Sequence, residues 1–134
     1  MKQNILFILL WMTLFTFTRC TKVVIPLDLA EAILGKWELV ELGNWPNMNQ
    51  ISEPPNYREY LTGGLLRVYD YKSGDFYYQN YSIDTLLYEY VRLPNESLLV
   101  VTYTCEFFDH TDKLRADYVG IAGVFNTFIF KRID

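Results

Sequence analysis

Cysteine and histidine are nearly absent from this chain. Two cysteines, Cys20 and Cys105, stand among 134 residues. At most one disulfide can form, so a disulfide-stapled scaffold is excluded. The single histidine, His110, lies in a polar turn between Asp109 and Asp112. A metal site needs three or four converging ligands, and so short a turn supplies few. We therefore expect a solvated turn there, with no metal and no cofactor. No Gly-x-Ser-x-Gly elbow occurs, and a Ser-His-Asp set would have to recruit Ser52, Ser73 or Ser97 from turns. Gly63-Gly64 precedes a strand pattern where a phosphate cradle would precede a helix. These absences point to a protein that is not an enzyme. An excess of basic residues is missing too, since 12 Lys and Arg face 16 Asp and Glu. Such a chain repels phosphate backbones, so no nucleic-acid partner is expected.

The longest apolar run is short. Met1-Lys2 opens the chain and Ile5 to Phe17 follows without a charge. That run suits the hydrophobic region of a signal peptide and falls short of the ~20 residues of a membrane span. It ends in Thr16-Phe17-Thr18-Arg19-Cys20. Cys20 resembles the acylated cysteine of bacterial lipoproteins, with Arg19 where a lipobox has a small residue. The reading is a signal peptide over residues 1–19, a tether over 20–27 and one domain over 28–134. Loss of Lys2 and Arg19 leaves 10 basic against 16 acidic side chains, a charge of −6 in place of −4. Attachment to a membrane then comes from acyl chains on Cys20, because stable anchoring needs more than one chain and no basic patch is at hand. The expected location is the bacterial cell envelope, on an outer-membrane anchor. Cys105 shares a strand face with Tyr103 and Phe107, which predicts a buried thiol.

After the tether, Asp28 and Glu31 have N-cap and N3 spacing for a one- or two-turn helix from Asp28 to about Leu34. Gly35 supplies the left-handed position that ends it. From Lys36 the period is two, with Trp37 and Leu39 on one face, Lys36 and Glu38 on the other. Gly43 to about Tyr57, with Pro46 and Pro54-Pro55, reads as a long loop and the best candidate for a lid. Hairpin-like segments follow at Leu65 to Tyr71, Phe76 to Ser82, Leu86 to Val91, Leu98 to Phe107, Leu114 to Tyr118 and Thr127 to Ile133. No helical period longer than about a turn follows Gly35. The prediction is an all-β fold: a small up-and-down antiparallel β-barrel of about eight strands preceded by a short N-terminal helix. A barrel is preferred to a sandwich because the turns are short and the strong last strand can pair with the first, which removes both edges.

Ile33-Leu34-Gly35-Lys36-Trp37-Glu38-Leu39-Val40 resembles the Gly-x-Trp opening of lipocalins, and Phe128-Ile129-Phe130-Lys131-Arg132-Ile133 resembles the closing strand of small bacterial lipocalin-like lipoproteins. The likeness covers about residues 30–133. The Thr-Asp-Tyr motif of larger lipocalins and their inter-strand disulfide are not in the sequence. What the resemblance implies is a carrier or scaffold barrel with no shared ligand. It also implies a basic side chain from the last strand across the first-strand tryptophan. Arg132 shares the parity of Phe128 and Phe130, so it is the candidate to stack on Trp37, leaving Lys131 to solvent.

Eleven tyrosines are the remaining signal. In a barrel, part of them point inward with hydroxyls that orient a ligand or simply fill the space. Trp45, Tyr78, Tyr88, Tyr103 and Tyr118 are the candidate ligand contacts. Two functions fit this reading. One is a lipid-anchored envelope protein that binds a small apolar or aromatic ligand in its barrel. The other is a filled barrel whose loops contact a protein partner, as a complex subunit or inhibitor.

Overall fold

The structure, a computed structural model, describes residues 27–120 and 123–134. The apolar leader, Cys20 and nearly all of the tether lie outside the described residues. Asp28 caps a single helical turn, α1 (Leu29–Ala32), its carboxylate accepting from the backbone N–H of Ala30 at 2.9 Å and Glu31 at 3.4 Å. The turn is shorter than the period suggested, with Ile33 as its C-cap. Gly35 is already the first residue of the first strand, at φ +115°. A Cβ there would meet the Arg132 Nη1 at 2.7 Å, so glycine is required twice over, for its backbone angle and for that close approach.

Nine strands follow: β1 (Gly35–Asn44), β2 (Asn47–Gln50), β3 (Asn56–Leu61), β4 (Leu65–Asp70), β5 (Phe76–Ile83), β6 (Leu87–Arg92), β7 (Leu98–Phe108), β8 (Lys113–Tyr118) and β9 (Thr127–Ile133). All pair antiparallel with their sequence neighbours except that β3 lies beside β1, and β9 returns to β1. The closing ladder runs from Lys36 opposite Ile133 to Gly43 opposite Thr127. The result is a closed barrel of eight strands. Closure leaves no sheet edge in the barrel wall.

β2 is the addition. The lower half of β1 pairs with β3 through Gly35 to Glu38, and its upper half pairs with β2 through Glu41 to Asn44. Between them the β1–β9 register shifts at Leu39/Glu41, a bulge that bends the strand as it changes partner. The stretch from Gly43 to Tyr57 is therefore not the open loop and lid we expected. Both its ends and its middle are strand, and only Ile51 to Pro55 joins β2 to β3. Pro46 argues against a central strand, yet a proline inside a tight hairpin turn costs the ladder nothing.

The two ends of the barrel differ. α1, the Thr62–Gly64 turn, the Asp84–Leu86 turn and the Asp109–Asp112 turn gather at one end. Trp37, Ile33, Leu66, Leu87 and Leu114 are fully buried there, joined by Tyr60, Tyr81, Tyr103 and Phe130. The other end carries the β1–β2, β4–β5, β6–β7 and β8–β9 connections.

Candidate functional site

The closed end is sealed by the C-terminus of α1 and the two residues expected to stack. The Arg132 guanidinium lies over the Trp37 ring, 4.3 Å from its centroid. Its Nη1 donates to the Leu34 carbonyl at 2.6 Å and its Nη2 to that of Ala32 at 2.8 Å. The Trp37 indole N–H takes the intervening Ile33 carbonyl at 2.6 Å. Three consecutive carbonyls at a helix end, which lack helical partners, are thus satisfied by one arginine and one tryptophan. The partners of Arg132 are main-chain oxygens, including that of Thr111 at 3.4 Å. Lys131 is exposed.

One layer above, the interior turns polar. Arg58 stands opposite Trp37 in the β1–β3 ladder and opposite Val68 in the β3–β4 ladder, which places it on the inner face. Glu89 faces Tyr81 on one side and Val101 on the other, so it too points inward. Arg58 Nη1 donates to both Glu89 oxygens at 2.8 and 2.9 Å, and the Tyr60 hydroxyl donates to Glu89 Oε1 at 2.5 Å. The guanidinium face rests on Phe130 at 5.3 Å. Glu89 is only 3% exposed, while the Arg58 side chain keeps 28% of its surface accessible.

The electrostatics follow from burial. Loss of water alone would lower the Arg58 pKa, but the Glu89 charge, aided by Tyr60 and Tyr103, outweighs it and the net shift is upward. Burial, then Glu89, pushes the Tyr60 phenol well above its ordinary value, with Arg58 opposing. Tyr103 is raised in the same way. Tyr77 is raised by burial, with Arg58 opposing and Asp70 and Glu89 adding to the shift. The free thiol of Cys105 is pushed up to about 12 by burial, then by Glu89 and Asp117.

Toward the other end the inner face opens. Tyr77, opposite Val68, is 44% exposed, and Leu99, opposite Val91, is 46% exposed. Leu42, Val101, Tyr118 and Phe128 complete that upper wall by register. The interior is thus a packed plug below and a cup above, with Arg58 and Glu89 as its floor.

Of the candidate ligand contacts, the register brings Tyr103 and Tyr118 together inside, paired across β7 and β8 with ring centroids 6.2 Å apart. It corrects the others. Tyr78 pairs with Arg67 on the outer face and is 60% exposed. Tyr88 pairs with Ser82 and Thr102 outside, because its neighbour Glu89 takes the inner parity. Trp45 sits on the outer wall, where Arg115 lies 5.0 Å over its ring and Glu106 and Phe108 complete a groove of about 210 Å³. A second open groove, about 410 Å³, lies at the sealed end between α1, Gly63, Gly64 and Tyr81. Arg58, Tyr60, Tyr77 and Glu89 were not singled out from sequence. The signal was present, since Asn56-x-Arg58-x-Tyr60 and Leu87-x-Glu89-x-Val91 put one charge each on a face of otherwise core-like parity.

His110 is an exposed turn residue at φ 58°, and no cluster of three or more His, Cys, Asp or Glu suited to a metal occurs among the described residues. No helix among them is long and apolar enough to cross a membrane. No family model matches the sequence, and no curated protein matches it.

Proposed function

We propose that this is a lipid-anchored, lipocalin-like protein of the bacterial envelope that carries a small apolar or aromatic molecule in the upper half of its barrel. The observation that supports it most is the asymmetry of the interior. Below Arg58 the inward side chains are packed and largely buried; above it Tyr77 and Leu99 remain nearly half exposed although they face inward. An apolar wall with a few convergent polar groups is the usual make-up of a small-molecule site. The anchor rests on Cys20 and its place after the apolar run.

Two measurements test the two halves of this reading. Titration of the full chain in lipid nanodiscs with N-phenylnaphthylamine, with empty discs as the blank, should give saturable emission at one dye per chain. Leu99→Arg should abolish it. Absence of saturable emission would end the carrier reading. Cys20→Ser should move the protein from the membrane to the soluble fraction; a wild-type protein already soluble and cut after residue 20 would end the anchor reading.

A second reading draws on the rim. Leu98, Val100, Val119, Val124 and Phe125 are exposed apolar side chains on the strands and connections of the open end. They suit contact with another protein, as a complex subunit or inhibitor would make it.

A further inference from the structure

We infer that the cup selects an uncharged ligand carrying a carbonyl-type hydrogen-bond acceptor, which enters acceptor first and engages Arg58. The inference rests on the carrier reading and names the ligand class of that same site.

The chemistry of the floor makes the choice. An arginine fork offers five N–H donors. In Arg58 the Nη1 group serves Glu89, and one face of the guanidinium is taken by Phe130. Tyr60 and Tyr103 oxygens also lie near the guanidinium, yet these and the two Glu89 oxygens are fewer acceptors than the fork has N–H groups, and the Tyr103 O–H keeps its own proton to donate. Among the described residues no side-chain nitrogen or oxygen is both buried and unpartnered, so an Arg58 donor without an acceptor keeps some accessible surface. The 28% accessibility of the Arg58 side chain agrees with that. A donor surface therefore lies at the bottom of an apolar cup.

Charge decides what meets it. Arg58 and Glu89 neutralise each other at 2.8 Å, so the floor carries no net charge. A carboxylate ligand would place a second anion beside the nearly buried Glu89, where low local dielectric makes like charges costly. A hydrocarbon would cover the N–H groups and offer them no acceptor in place of solvent, leaving polar groups unpaired. A ketone, ester or amide oxygen accepts from Arg58 and Tyr103 and leaves the charge balance intact. The walls above, Tyr77, Leu99, Val101, Tyr118 and Phe128, suit a flat or branched apolar body.

Three probes of one shape separate these cases: acetylnaphthalene, isopropylnaphthalene and naphthoate. Each is titrated into the full chain in lipid nanodiscs, with empty discs as the blank, and followed by isothermal titration calorimetry. Acetylnaphthalene should bind about tenfold more tightly than either of the others, the ratio one charge-assisted hydrogen bond supplies. In the double variant R58M/E89Q that preference should vanish while isopropylnaphthalene binds within about threefold of wild type. Equal binding of all three probes by the wild type, or tightest binding of naphthoate, overturns the ligand class and leaves the carrier reading standing. A preference that survives in R58M/E89Q also overturns it. If none of the probes saturates, the carrier reading itself falls, and the site with it. The wild-type comparison decides alone should the double variant fail to fold.

Discussion

Arg132 and Trp37 share one task at the sealed end of the barrel. The guanidinium lies 4.3 Å over the indole, and between them the two side chains take the carbonyls of Ala32, Ile33 and Leu34. Opposite each other in the β1–β9 ladder, they join the last strand to both the first strand and the helix that plugs it. Removal of Arg132 therefore breaks barrel closure and helix capping together.

Arg132→Ala should cost roughly 2–4 kcal/mol, since charge-assisted hydrogen bonds and a stacked cation are lost at once. Thermal unfolding should shift down by at least several degrees. Lys131→Ala, at an exposed position, should stay within about 0.5 kcal/mol. Equal effects of the two would mean that the stacking contributes nothing.

Gly35→Ala should destabilise by about 1–3 kcal/mol, through its positive φ and the collision with Arg132 Nη1. Only the second part depends on Arg132. In an Arg132→Ala background the penalty should shrink, and a double-mutant cycle from urea denaturation reads the coupling. A coupling of zero would assign the whole cost to the backbone.

The Arg58–Glu89 pair should be asymmetric. Arg58→Met strands a carboxylate that is 3% exposed, whereas Glu89→Gln leaves a guanidinium that still reaches solvent. We expect roughly 3–5 kcal/mol for the first and about 1–2 kcal/mol for the second. Chemical denaturation of the two single variants should give that order; the reverse order would place Arg58, not Glu89, in the drier environment.

Alkaline pH should unfold the protein. The Cys105 thiol is raised from 9.0 to about 12, and Tyr60, Tyr81 and Tyr103 are raised above 10.0. These groups hold their protons in the folded state while the unfolded chain loses them. The stability they confer is complete below pH 9 and drains away as the pH climbs toward 12. Stability against urea should therefore fall between these values, with Cys105→Ala flattening the earliest part of the decline. A native thiol that reacts rapidly with a maleimide at neutral pH would contradict the burial behind this.

Much of the barrel was legible in the chain because period-two alternation and turn residues are local. Leu99 to Phe107 kept one apolar face over the clearest strand, and Arg132 shared the parity of Phe128 and Phe130, which the resemblance to lipocalins set against Trp37. The sequence determined an all-β chain, the hairpin order from β4 to β9 and the closure of its last strand on its first; β2 and β3 were hidden beside the prolines of the Gly43–Tyr57 stretch. Tertiary structure alone decided which tyrosines line the interior. The inward parity of Tyr77 over Tyr78, and of Glu89 over Tyr88, is set by cross-strand register, and an amphipathic ring tolerates either face. The Arg58–Glu89 pair was hidden for the same reason: its members lie 31 residues apart, and a charge at an inward position reads as a defect until its partner across the barrel is in place. Local alternation specifies which side chains share a face. Only closure of the sheet specifies what that face encloses.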